Sequence, residues 1–252
     1  MSGVQDRVII VTGAGGGLGR EYALLLARSG ARVVVNDLGG ARDGSGSGSV
    51  MADAVVEEIW AAGGEAVPNY DSVATREGAA AIVATAVEAF GAVHGLVNNA
   101  GILRDRAFHK MSPQDWDAVL AVHLNGAFHV TRQAWPHFRE QHYGRVVMAT
   151  STSGLYGNFG QANYGSAKSG LVDLLAQLPP AQVAPVVGYL LTDECTDSGT
   201  VLVAGGGNVH RVALYQSKGV TFGETPTIGQ VAERWSEITD LDGSVPGVNP
   251  VG

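Results

Sequence analysis

Thr12-Gly13-Ala14-Gly15-Gly16-Gly17-Leu18-Gly19 stands between an apolar run at residues 7–11 and a stretch of helical spacing at residues 18–29 that is closed by Gly30. A strand, a glycine-rich turn and a helix in that order place bare backbone N–H groups and the positive end of a helix at one point, the arrangement that meets a pyrophosphate. A glycine-rich turn alone is weak evidence, because many such turns only pack. Here an acid, Asp37, closes the next strand 18 residues beyond Gly19. That is the second context a dinucleotide site requires. A carboxylate there accepts hydrogen bonds from both ribose hydroxyls of an adenosine and repels a 2′-phosphate, so the expected cofactor is NAD rather than NADP. Arg20 and Arg42 are the nearby cations, and both read as solvated surface.

Working outward, strands are expected at residues 32–35, 65–67, 94–97 and 145–149. Helices are expected at 50–62 and 75–90, and from Ser112-Pro113, an N-cap followed by proline at the first position, through to about 141. Short β-rich runs alternating with longer helices predict βαβ units and a parallel sheet. The fold class is therefore α/β, a doubly wound parallel sheet of Rossmann type in a single domain. Residues 1–206 form the dinucleotide-binding catalytic domain and 207–252 a C-terminal extension with a helix at 229–238. The Gly/Ser-rich residues 38–49 (LGGARDGSGSGS) are expected to be a flexible surface loop.

Composition limits the alternatives. Of 252 residues, 45% are apolar and 16% charged, a globular balance. The 36 glycines, about 14%, are roughly twice average usage. No apolar run approaches the roughly 18 residues of a membrane span. The N-terminus lacks the basic flank and apolar core of a signal peptide, and a cytoplasmic protein is expected. A net charge of −8 argues against a nucleic-acid partner. The single cysteine, Cys195, excludes an intrachain disulfide, and no metal set is expected.

A second constellation is Tyr164-Gly165-Ser166-Ala167-Lys168. Tyr and Lys four apart share a helix face, and a phenol beside a fixed ammonium has its ionised form favoured, so it can exchange a proton near neutrality. Ser151, 13 residues upstream at the end of the fifth strand, is placed to hold a substrate oxygen. A bare Tyr-x-x-x-Lys arises often by chance. In this order with the glycine turn, Asp37 and Ser151, it does not.

With these motifs the chain resembles the short-chain dehydrogenase/reductase family over at least residues 7–172. NDLGG at 36–40, NNAGILRDRAF at 98–108 and SGLYGNFGQANY at 153–164 are similar to the (3R)-3-hydroxyacyl-CoA dehydrogenase part of peroxisomal multifunctional enzymes. The resemblance implies that Thr12, Gly13, Gly17, Leu18 and Gly19 line the pyrophosphate and that Asp71 and Ser72 flank the adenine. Asn99, Ala100 and Gly101 would hold the middle of the dinucleotide. Tyr164 would carry the proton, Lys168 would bind the nicotinamide ribose and lower the tyrosine pKa, and Ser151 would polarise the reacting oxygen.

Two departures from the family stand out. Where most members have Asn-Leu-x-Gly, whose Asn helps anchor a water on the proton path, this chain has His123-Leu124-Asn125-Gly126; His123 serves if the anchor is its main-chain carbonyl, and otherwise is a packed helix histidine. After Lys168 the family needs roughly thirty residues of helix, sixth strand and substrate loop, yet Leu171-Val172-Asp173-Leu174-Leu175 runs almost at once into a Pro179-Pro180 segment that leads to a last strand at 200–203. Either that segment is deleted, or a substrate lid is missing between 170 and 180, which predicts a spatial break there. Arg104, Arg106, His109 and Lys110 are placed to meet coenzyme A phosphates or to be solvated. The function expected is interconversion of a secondary alcohol and a ketone, (3R)-3-hydroxyacyl-CoA and 3-oxoacyl-CoA, with 17β-hydroxysteroid dehydrogenation as the alternative. A catalytically silent dinucleotide sensor would not need the proton carrier. The expected partners are a small-molecule substrate, acyl-CoA or steroid, and further copies of the chain in a homodimer or homotetramer.

Overall fold

The computed structural model describes residues 3–171, 184–195, 201–205, 208–212, 215–224, 226 and 228–246. Five parallel strands carry the fold: β1 (Val8–Thr12), β2 (Arg32–Asn36), β3 (Glu65–Asn69), β4 (Gly95–Asn98) and β5 (Arg145–Met148), in the order β3-β2-β1-β4-β5. The chain runs outward from β1 in one direction, returns, and runs outward in the other. The reversal point lies beside β1, where such sheets bind ligands at their carboxyl ends.

Alternation along β1 explains why both faces are covered. Ile9 and Val11 face one core, built with Val33, Val35, Val97 and Val147 under α1 (Gly17–Arg28) and α2 (Val50–Ala61). Val8 and Ile10 face the other, built with Val34 and Leu96 under α3 (Arg76–Phe90) and, later in the chain, α5 (Gly126–Glu140). Every residue of β1 is buried, as expected of a central parallel strand. The register pairs Thr12 with Asn36, Asn36 with Asn69, Val11 with Val97 and Asn98 with Met148. Strand ends are thereby level, and a row of polar residues stands along the carboxyl edge.

The expected N-cap is present: Ser112 accepts from Asp115 N–H at 3.0 Å at the start of α4 (Pro113–Leu120); Thr75 likewise caps α3, accepting from Gly78 N–H at 3.0 Å. The helix expected to run unbroken from 113 to 141 is interrupted by a π-helical turn, Ala121–Asn125, before α5. Such turns cluster at functional sites, and this one carries His123. Three short helices follow β5: α6 (Thr152–Tyr156), α7 (Ala162–Ser169) and α8 (Ala184–Leu190). Val187 and Leu191 join the core beneath α1.

The last expected strand is β6 (Val201–Gly205), but it pairs with β7 (Asn208–Val212) in a ladder of two and not with β5. Among the described residues β5 is thus the edge of the five-stranded sheet. Any spatial break between 170 and 180 falls on 172–183, outside the described residues. The chain divides into two compact units, Met1–His210 and Arg211–Gly252. The second holds β8 (Tyr215–Gln216), paired antiparallel with β9 (Val245–Pro246). The one helix expected there is two, α9 (Ile228–Glu233) and α10 (Trp235–Thr239).

Candidate active site

The glycine turn packs as tightly as its composition suggests. Gly13 has φ +63°, and a Cβ on it would stand 2.7 Å from Ala100 Cα; one on Gly19 would stand 2.1 Å from the Gly13 carbonyl oxygen. Only glycine lets α1 seat on the turn at that distance. The N-cap, Gly16, offers no side-chain cap and the first turn contains no acid, so the leading N–H groups of α1 are left for a ligand. Gly17 at φ +54° faces open space. Leu18 turns its side chain to the core, leaving its backbone for the ligand. An anionic pyrophosphate fits this end of the groove.

Thr12 does something other than line that ligand through its side chain. It is buried, and its hydroxyl accepts from Asn99 N–H and Ala100 N–H, both at 3.1 Å, while donating to Val97 O at 3.3 Å. Asn99 answers with its amide, donating to Thr12 O and Gly13 O at 3.1 Å. Together they lock the ends of β1 and β4. Gly101 is required by His123, whose ring would lie 2.3 Å from an added Cβ.

Asp37 is half-buried at the end of β2. Its Oδ2 accepts from Gly15 N–H and its Oδ1 from Gly39 N–H, both at 2.8 Å. Each oxygen keeps capacity for one further donor, which suits a diol. Next to it, Asn36 donates to Asn69 Oδ1 (2.8 Å) and Asp71 O (2.9 Å), and Asn69 donates to Asp71 Oδ2 (2.8 Å). These two buried asparagines place Asp71 and escaped the sequence reading, since nothing local marks a strand-ending Asn as a ligand-site support. Ser72 accepts from Ala74 N–H at 3.2 Å and shapes the turn into α3. Arg20 is not a phosphate ligand here: it pairs with Glu21 (2.7 Å) and Glu58 (2.5 Å).

Beyond the carboxyl ends of β4 and β5 the fold gathers Ser151, Tyr164, Lys168 and His123. Ser151 caps α6, accepting from Ser153 N–H at 3.2 Å, and its hydroxyl acts on the Tyr164 phenol to lower its pKa. Lys168 is buried and its Nζ donates to Ala149 O, 5.7 Å from the Tyr164 ring centre. Burial pushes this ammonium down to about 8. Burial likewise raises the Tyr164 pKa, an effect the Ser151 hydrogen bond opposes; Asp105 raises it and Arg42 lowers it. The Lys168 amine is held by the Ala149 carbonyl just past β5 and lies beside the Tyr164 ring rather than on its hydroxyl.

His123 is buried with its Nε2 2.8 Å from Ile102 O and 3.0 Å from Ile102 N, and its Nδ1 has no partner. Burial, reinforced by Lys168, holds the imidazole neutral, its pKa down at about 3. The ring stands edge-on to Tyr164 at 5.2 Å. The side chain thus pins the backbone beyond Gly101.

Asn163, fully buried, was missed although it adjoins the tyrosine. Its amide donates to Arg104 O and Asp115 O, both 3.1 Å, and its carbonyl accepts from Tyr164 N–H at 2.8 Å. The loop expected at 38–49 is largely exposed and contains no helix or strand. Its backbone closes on itself (Gly48 N–H to Leu38 O, 2.9 Å; Ala41 N–H to Ser45 O, 2.7 Å) and onto the loop after β4, where Leu103 N–H donates to Arg42 O at 3.0 Å and Arg104 Nε to Asp43 O at 2.9 Å. Composition reports the loop's intrinsic freedom and cannot show tertiary partners. Of the basic stretch, Arg104 is held by Asp43 O and, at 3.7 Å, by Asp115, while Arg106, His109 and Lys110 are exposed.

The model for the short chain dehydrogenase family matches residues 7–179. This chain is a short-chain dehydrogenase. It is 60% identical over 279 aligned positions to a Mycobacterium tuberculosis protein named as a short-chain type dehydrogenase/reductase, covering 97% of this chain and 98% of the relative. Since 97% of 252 residues is about 244, about 35 of those positions have no residue in this dehydrogenase. Peroxisomal multifunctional enzyme A of Dictyostelium discoideum is 45% identical over 94% of this chain, which spans 61% of that enzyme. A hydroxyacyl-CoA dehydrogenase of M. tuberculosis is 44% identical over 80% of this chain and 64% of its own length. A solved short chain dehydrogenase from Mycobacterium avium superposes with a TM-score of 0.85 at 36% identity, over 97% of this chain and 98% of that one. Among the described residues no helix is long and apolar enough to cross a membrane.

Proposed function

We propose that this dehydrogenase oxidises (3R)-3-hydroxyacyl-CoA with NAD, or runs the reverse reduction. The observation that carries the reading is a pair of clusters along the carboxyl edge of one sheet: Asp37 after β2, with both carboxylate oxygens preset by backbone donors, and Ser151, Tyr164 and Lys168 after β5. The relatives' names support the acyl-CoA class.

NAD held by these residues would supply the acceptor for the hydride of the carbinol carbon. Tyr164, as phenolate, takes the hydroxyl proton as the C–H electron pair leaves, so the carbinol becomes a ketone. Ser151 holds the reacting oxygen against Tyr164. The glycine turn and the N-terminus of α1 hold the pyrophosphate, Asp37 the adenosine ribose, and Asp71 and Ser72 flank the adenine. Lys168 holds the nicotinamide ribose and, drawn toward that end, favours the phenolate.

The test is NADH absorbance over a panel of (3R)- and (3S)-3-hydroxyacyl-CoAs and 17β-hydroxysteroids, each with NAD and NADP. Turnover of the (3R) thioesters with NAD is expected, and Tyr164→Phe is expected to lower kcat by 10²–10⁴ while still binding NAD, as for a lost general acid–base group. Activity confined to the steroids, or a preference for NADP, overturns the substrate or the cofactor assignment respectively.

A further inference from the structure

Val119, His123, Ala127, Val130, Ala134 and Phe138 follow one another at helical steps of three or four residues through α4, the π turn and α5, and all six are buried. Five of them are apolar packing. His123 is the one polar ring in the stripe, and it stands where the stripe passes the chain leaving β4. A histidine that only filled volume there would meet side chains. This one meets backbone.

Two segments of the site close on the ring. Nε2 lies 2.8 Å from Ile102 O and 3.0 Å from Ile102 N, and Cε1 would lie 2.3 Å from a Cβ on Gly101, so the imidazole takes the space that a side chain at 101 would need. From the other segment, the Tyr164 ring stands at 89° to it with centroids 5.2 Å apart, an edge-to-face contact. The helix that carries the tyrosine, α7, packs on the π turn. We propose that His123 is a positioning residue acting through its side chain, which ties the Gly101–Ile102 backbone and the Tyr164 ring into one unit and so keeps the phenol aimed at the reacting oxygen. This rests on the reading of Tyr164 as proton carrier. A role for the main-chain carbonyl at 123 is a different one, since a side-chain substitution leaves that carbonyl in place.

The chemistry of the contact says which substitutions keep it. Burial holds the ring neutral, and one nitrogen of a neutral imidazole either donates or accepts. Nε2 therefore serves Ile102 O or Ile102 N–H at a given moment, and not both. A glutamine amide nitrogen lies as many bonds from Cα as Nε2 does, and the amide offers a donor and an acceptor together. Leucine fills the stripe and offers neither.

The experiment compares His123→Leu and His123→Gln by kcat with a (3R)-3-hydroxyacyl-CoA, by NAD affinity in calorimetry, and by amide hydrogen exchange of residues 100–103 and 162–166. In His123→Leu, kcat is expected to fall on the order of tenfold to a hundredfold, since misplacing a reacting group by about 1 Å costs about a hundredfold. NAD affinity should fall far less. Both stretches should exchange faster while β1 does not. His123→Gln is expected to restore most of the turnover and the slow exchange at 100–103. Gly101→Ala is an independent variant, because its methyl group must displace the ring. Its penalty in kcat should be several times larger in the parent than in His123→Ala, where that space is open. Unchanged kcat and exchange in both His123 variants overturn the proposal, as do equal Gly101→Ala penalties in the two backgrounds. Parallel losses of kcat, NAD affinity and β1 protection that glutamine does not restore make His123 a general support and overturn it too. Full turnover by Tyr164→Phe would instead sink the proton-carrier reading, and the exchange measurements would still decide whether His123 ties the two segments together.

Discussion

Asp37 and His123 show how one side chain's surroundings set its use. Backbone N–H groups already hold both Asp37 oxygens, so a ribose diol meets an acceptor that needs no reorganisation. Asp37→Ala removes charge-assisted hydrogen bonds worth about 1.5–3 kcal/mol each. NAD affinity measured by calorimetry should fall more than tenfold, and discrimination against NADP should relax. His123 is neutral in the fold with a pKa near 3, against 6.5 when unfolded. Its contribution is full above pH 6.5 and is lost as pH falls from there toward 3, because the unfolded chain takes up a proton that the fold refuses. Between pH 7 and pH 5 this one group should cost about 2 kcal/mol of stability, from 1.36 kcal/mol per pH unit. Urea unfolding at the two pH values measures it. A His123→Asn variant that kept the whole acid loss would assign it to other groups.

Among elements, the short helix α7 owes its position to the segment before it. Asn163 joins the loop after β4, the carbonyl of Asp115 in α4 and the backbone of Tyr164. Asn163→Ala strips donors from two carbonyls in a buried place, and about 2–3 kcal/mol of destabilisation is expected. Because the hydrogen bonds aim Tyr164, kcat should fall further than NAD affinity does. A variant equally weakened in both would show Asn163 to be a general support. The sequence placed Tyr164 and Lys168 on one helix face but was silent on Asn163, whose partners lie 48 and 59 residues away.

In the Met1–His210 unit, residues 184–195 are fastened to the amino-terminal side of the sheet. Arg7 forms a fork with Asp193 (2.9 and 3.1 Å), and Tyr143 donates to Leu191 O at 2.8 Å, its ring flanked by the guanidinium groups of Arg7 (3.9 Å) and Arg145 (4.8 Å). α8 packs beside β5, the edge strand of the five-stranded sheet among the described residues. Tyr143→Phe removes one hydrogen bond and keeps the ring, and should cost about 1 kcal/mol. Hydrogen exchange of residues 184–191 should accelerate more than that of β1. Uniform acceleration would mean that the segment opens only with the whole unit.

The alternation of apolar runs, the glycine turn and the acid ending β2 determined the doubly wound sheet and both ends of its groove, because strand period, turn geometry and helix capping are local. The same locality made the shortage of residues after Lys168 visible. Only the tertiary structure decided that β6 stands apart from β5, that the helix before α5 opens into a π turn at His123, and that Thr12 is a lock between strands. It also decided the course of residues 38–49. Their glycines and serines report backbone freedom, whereas their path is set by hydrogen-bond partners about 60 residues away, which no local pattern encodes.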